Sequence, residues 1–121
     1  MLGVRGSYMV DVVVNKCFGG FGLSERAIMR YAELKGINLV KLTDKHGSNF
    51  YVDGQHDDEH FFSEYDIERT DTALVETVKE LGKLANGDCA ELTVTEVPDG
   101  VDWYIDEYDG IESIHESHRS W

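Results

Sequence analysis

Apolar positions along the chain recur with periods that change at glycine-rich punctuation. Residues 10–15 (VDVVVN) are β-branched and nearly continuous, which predicts a strand that can be buried on both faces. CFGGFG follows, with Gly19, Gly20 and Gly22 supplying the backbone freedom of a sharp turn. Ser24 is then placed to cap a helix running to about Lys35, with Leu23, Ala27, Ile28, Tyr31 and Leu34 on one side and Gly36 as its stop. Residues 37–42 and 48–52 read as short strands. The segment HDDEHFFSEYD reads as a loop or an irregular strand. Thr70 or Asp71 caps a second helix to about Asn86, with Leu74, Val78, Leu81 and Ala85 toward the core and Val75 and Leu84 flanking them.

Residues 90–97 alternate, with Ala90, Leu92 and Val94 on one face and Glu91, Thr93 and Thr95 on the other. Residues 101–107 alternate again, with Val101, Trp103 and Ile105 on one face. The intervening Pro98-Asp99-Gly100 is turn chemistry, so the two runs predict an antiparallel hairpin. Tyr108-Asp109-Gly110 breaks it, and a short helix or irregular tail is expected to Trp121. The order β-α-β…α-β-β predicts an α+β fold: one small domain with a mostly antiparallel sheet and two main helices on one face. Residues 1–8, with two glycines and no periodicity, read as a flexible extension ahead of a domain over residues 9–121.

Composition narrows the function classes. A chain of 121 residues with 41% hydrophobic positions can bury one core without disulfide staples. The two cysteines, Cys17 and Cys89, fit no disulfide framework and no zinc spacing, and read as reduced thiols of a cytosolic protein. The net charge of −13 disfavours direct binding to nucleic-acid phosphates. No apolar run reaches membrane-span length, and no signal-peptide pattern opens the chain. The charge is also divided. Residues 1–56 carry seven bases and five acids, a balance of +2, whereas residues 57–121 carry four bases and 19 acids, a balance of −15. Such a split can orient a partner or let two copies pair as a homodimer or higher oligomer; without either, acidic faces serve solubility.

Four groups of residues have chemistry to offer. The first is the bend, where Lys16, Phe18, Gly19, Gly20, Phe21, Gly22 and Ser24 join a strand to a helix start. Peptide N–H groups there, with Lys16 and the helix dipole, can hold a small anion such as a nucleotide signal. The motif is neither a Walker loop nor GxGxxG. A plain turn with Phe rings in the core is the structural alternative, and a Cys17 thiol nucleophile activated by the helix start is a weaker one. The second group, His56-Asp57-Asp58-Glu59-His60, lacks the HExxH arrangement and reads as a solvated acidic loop, with no metal or cofactor expected. The third is the acidic run around residues 99–116. If Val101, Trp103 and Ile105 face the core, then Asp102, Tyr104 and Asp106 share the outer face, and a row of carboxylates can occupy a partner's basic groove as a nucleic-acid mimic does. The fourth is the end of the chain, where Arg119 and Trp121 can complete a ligand pocket or a dimer interface.

Two blocks, NKCFGGFGLSERAIMRYAELKG (residues 15–36) and VPDGVDWYIDEYDGIESIHESHRSW (residues 97–121), are joined by RTDTALVETVKELG (residues 69–82). Together they resemble a family of short hypothetical proteins of tailed bacteriophages and related prophages, whose members pair a CFGGFGLS-like start with a YDGIE…HR-W-like end. The likeness covers most of residues 9–121 and is weakest over residues 43–68. It implies a phage-encoded accessory protein in the cytoplasm of an infected bacterium, with Met9 near the usual family start. No catalytic or binding residue is carried over with it. The expected function is non-catalytic binding. The target is a small anionic ligand held by the bend together with Arg119 and Trp121, or else a basic host protein held by the acidic face. A thiol- or His-dependent enzyme is the weakest expectation.

Overall fold

The computed structural model describes residues 9–116. The first strand, β1 (Met9–Asn15), is buried on both sides, as its β-branched run predicts. Along its length it pairs antiparallel with a strand from late in the chain, β5 (Leu92–Pro98), setting Val13 opposite Val94 and Val10 opposite Val97. Val13, Leu92 and Val94 face a helical layer. Val12, Val14 and Val97 face the other way, onto Trp103, Ile105 and Ile114.

The helical layer is α1 (Glu25–Lys35) and α2 (Thr72–Leu81). Ser24 caps α1 by accepting a hydrogen bond from the Ala27 N–H, and Gly36 closes it in a left-handed conformation. Ala27, Ile28, Tyr31 and Ala32 are its buried positions. Leu34 does not join them; it borders a surface hollow with Thr72, Ala73 and Glu76 at the start of α2. Asp71 caps α2 through the N–H groups of Ala73 and Leu74. The helix ends at Leu81 rather than near Asn86, because Gly82 breaks it and Gly82–Ala85 continues as a single 3-10 turn that still buries Ala85. Beside the helices lies a three-stranded antiparallel sheet of β2 (Leu39–Asp44), β3 (Gly47–Val52) and the two-residue β4 (Phe61–Phe62). Phe50, Phe62 and Val52 tie this sheet to the main core.

The expected hairpin around Pro98-Asp99-Gly100 is not formed. β5 pairs with β1 along one edge, and β6 (Trp103–Tyr108) pairs with β7 (Ile111–Glu116) rather than back across the Pro98 turn. Of the tail read as helical or irregular, residues 111–116 are therefore a strand, and the rest lies outside the described residues. Asp109 and Gly110, both with positive φ, form the two-residue turn that joins β6 to β7. That is the primed-turn chemistry whose twist matches the flanking strands. The fold is thus α+β with antiparallel strands, but the strands divide into three small sheets. The helical layer covers one face of β1–β5, and the β6–β7 hairpin covers the other.

Candidate functional site

The bend between β1 and α1 is a junction at which three backbone segments meet. A methyl group added to Gly19 would stand 2.4 Å from the Cβ of Cys89, and one added to Gly110 would stand 2.4 Å from the backbone nitrogen of Gly20. The Gly22 carbonyl accepts from the Gly87 N–H at 2.9 Å, closing the third side. These glycines let the bend, the 86–89 loop and the hairpin turn approach within backbone distance. A hollow of about 280 Å³ remains beside them, bordered by Gly19–Leu23, Glu64, Tyr65, Asp88 and Cys89.

The residues expected to hold an anion are distributed differently from that expectation. The N–H of Leu23, just ahead of the helix start, already donates to the Glu64 carboxylate. Asp88 adds a second carboxylate to the wall. Lys16 turns away and donates through Nζ to the Glu112 carbonyl at 3.1 Å. Ser24 serves as the α1 cap, and its hydroxyl donates to the Leu84 carbonyl at 2.6 Å. Two carboxylates without a free base make this hollow inhospitable to a phosphate-like group. The phenylalanines divide: Phe21 is 6% exposed and belongs to the core, whereas Phe18 is 60% exposed. Arg119 and Trp121 lie outside the described residues, as does the expected extension over residues 1–8.

Behind the bend sits a polar cluster that periodicity does not announce. Asn15, fully buried at the end of β1, donates through Nδ2 to the carbonyls of Cys17 and Gly110, both at 2.7 Å, and accepts through Oδ1 from the N–H groups of Cys17 and Glu91. Its own N–H donates to Glu112 Oε1 at 2.8 Å. Glu112 is buried on the inner face of β7 and receives both terminal nitrogens of Arg69, Nη2 at 2.7 Å. The Arg69 guanidinium lies 3.7 Å above the centre of the Phe21 ring. Among the described residues, no buried side-chain nitrogen or oxygen of the cluster lacks a partner, the condition under which a buried network fixes one arrangement. Asn15 and Glu112 are 97 residues apart in sequence, and Glu112 can be assigned an inner face only once β7 is known to be a strand.

The hairpin's outer face carries the acidic group singled out from sequence. Alternation along β6 turns Trp103 and Ile105 inward, and Asp102, Tyr104 and Asp106 are exposed on the opposite side as predicted. Tyr104 is 50% exposed and stacks on His115 across the hairpin, ring centres 5.6 Å apart. His115 is fixed further by Ser113 Oγ at 3.1 Å and lies 3.8 Å from Asp106. Tyr108, 79% exposed, extends the same face toward Asp109.

The remaining candidates fall elsewhere. His60 accepts the attention of Asp57, 2.7 Å away; that hydrogen bond, against a smaller effect of desolvation, holds the imidazole above its usual pKa. His56 packs edge-on against Tyr51. Among the described residues no group of three or more His, Cys, Asp or Glu side chains is placed to hold a metal ion. Cys17 is half-buried, and its backbone is held at both ends by the Asn15 amide. No helix among the described residues is long and apolar enough to cross a membrane. Comparison with family models, with curated proteins and with solved structures finds no match to the chain.

Proposed function

We propose that this chain is a non-catalytic binding protein that engages a basic surface of another protein through the outer face of the β6–β7 hairpin. In the phage setting that the sequence resemblance implies, that partner is a protein of the infected host, bound stoichiometrically. The observation that carries the reading is the exposure of Tyr104, Asp106 and Tyr108 on one face of the hairpin, with exposed Asp102 just ahead of β6 and exposed Asp109 in its turn. Carboxylates there supply pairing for lysine and arginine, and the rings supply flat surfaces on which a guanidinium can stack. The excess of acids over residues 57–121 adds a long-range field that speeds encounter with a basic groove. Anion capture at the bend is the weaker reading, because Glu64 already occupies the Leu23 N–H and Lys16 is engaged at the hairpin.

The test uses a fluorescent arginine-rich peptide as probe and follows its anisotropy. Binding is expected to weaken at least tenfold between about 50 and 500 mM salt, since exposed charge pairing is screened. Neutralising Asp102 and Asp106 to Asn and truncating Tyr104 to Ala should weaken it by a similar factor. Neutralising Asp57 and Asp58 to Asn, an equal change of net charge in another loop, should leave it within about twofold. Equal loss in both variants would reduce the effect to net charge and overturn the assignment of the surface.

A further inference from the structure

The outward face of α1 has a charge pattern complementary to itself. Glu25, Arg26, Met29 and Glu33 are exposed along it, with Arg30 between them. Met29 and Leu81 border a shallow surface hollow of about 470 Å³ rimmed by Glu25, Arg26, Arg30 and Glu33. Leu84, 57% exposed, lies next to the start of the helix, where its carbonyl receives the Ser24 hydroxyl. Arg26 makes no ion pair among the described residues. Reversing the helix about the midpoint of Met29 and Arg30 sets Arg26 opposite Glu33, and Glu33 opposite Arg26.

We infer that this face is where a second copy of the chain docks, with the two α1 helices antiparallel. Each Arg26 then meets the partner's Glu33, and the two Met29 side chains meet near the twofold axis. An isologous contact needs exactly this self-complementarity. Charge also selects the face. The four ionic residues of the rim sum to zero in a chain whose net charge is −13, whereas most surfaces from residues 57–121 would oppose like charges. A standard interface covers roughly 800 Å² per partner. That is about a tenth of the chain's 7983 Å², which the α1 face with its Leu81 and Leu84 flank must supply. The helical layer lies on the far side of β1–β5 from the hairpin, so this pairing leaves the β6–β7 face open and stands or falls independently of the function proposed above.

Sedimentation velocity over a range of protein concentrations reads the association directly. The parent chain should show a concentration-dependent monomer–dimer equilibrium. Arg26→Glu and Glu33→Arg should each weaken it at least tenfold, because each places like charges at two symmetric positions. Combining them restores opposite charges, and the double variant should return to within about threefold of the parent. Met29→Glu, at an exposed position, is a second disruption that does not rely on the ion pairs, and circular dichroism checks that each variant is folded. A parent that stays monomeric throughout, a dimer indifferent to the single substitutions and Met29→Glu, or a double variant as weak as the singles would overturn the inference.

Discussion

Replacing Glu112 by alanine removes the one carboxylate on which three donors converge. Asn15 N–H and Arg69 Nη2 lose their acceptor at a site where Glu112 itself is buried, and Arg69 Nη1 keeps the Val13 carbonyl at 3.3 Å. Breaking a buried pair from one side costs about 3–5 kcal/mol, because the surviving charge is left without its partner. The Arg69 side chain is 21% exposed and recovers some hydration, which argues for the lower end, about 3 kcal/mol. A buried backbone N–H left unsatisfied adds about 1 kcal/mol or more. The expected total, about 4 kcal/mol, is a large part of a typical domain stability of about 5–15 kcal/mol. It should lower the midpoint of thermal unfolding by more than about 10 °C. Urea titrations followed by tryptophan fluorescence measure the difference, Trp103 reporting from the packed face of the hairpin. Glu112→Gln keeps an acceptor of nearly the same shape and should cost about half as much. Arg69→Met combined with Glu112→Met removes both charges together and should be less damaging than Glu112→Ala alone. A loss under about 0.5 kcal/mol for Glu112→Ala would refute the reasoning, since surface ion pairs of no structural consequence give values of that size.

Gly110→Ala and Gly100→Ala place a methyl group at similar positive φ, +92° and +87°, but in different surroundings. Gly100 has open space and should lose about 1 kcal/mol from backbone strain, whereas Gly110, facing the Gly20 nitrogen at 2.4 Å, should lose at least about 3 kcal/mol by the same urea titration. Asp71 links stability to pH. Burial works to raise its pKa, but hydrogen bonds from Lys35, Tyr31 and the N–H groups of Ala73 and Leu74 outweigh it and hold the carboxyl below its ordinary value. A depressed folded-state pKa stabilises the fold above the unfolded value near 4, and the contribution disappears as pH falls through the folded value. Asp71→Asn should therefore flatten the decline in stability below about pH 4, and an unchanged acid limb would refute the linkage. At the other end of the scale, burial first and the Asp71 hydrogen bond second push the Tyr31 hydroxyl up to about 12, so its absorbance at 295 nm should titrate later than that of a free tyrosine, at about 10.

Local chemistry was legible in the sequence where its partners are local. The β-branched run of β1 announced burial on both faces, Ser24 and Asp71 announced helix starts, and alternation along β6 placed Asp102, Tyr104 and Asp106 outside. Pairing was less legible, because alternation marks a strand and leaves its neighbour open. Pro98-Asp99-Gly100 and Asp109-Gly110 are both turn signals, and only the second closes a hairpin; β5 pairs with β1, some 80 residues earlier in the chain, which no local pattern announces. The bend is hard to read for a related reason. Its glycines read as freedom to expose N–H groups to a ligand. Their positions instead answer to Cys89 and Gly110, contacts invisible to a window of a dozen residues.

The two faces of the hairpin therefore divide binding from stability in a way that substitutions can separate. Inward, Trp103, Ile105 and Ile114 pack on β1–β5 while Glu112 is clamped by Arg69 and Asn15, so the hairpin is held by both apolar contact and an oriented ionic network. Outward, Tyr104 stacks on His115 and Asp106 lies 3.8 Å from it, both within the hairpin. A two-stranded hairpin alone is marginally stable in water, and its side chains would have to be ordered anew by each partner. Anchored through Glu112, the outer row is presented already ordered, which lowers the entropic cost of engaging a basic surface. Outer substitutions should then change affinity with little change in unfolding, whereas inner ones should change unfolding first and affinity only as the presentation of Asp102, Tyr104 and Asp106 loosens.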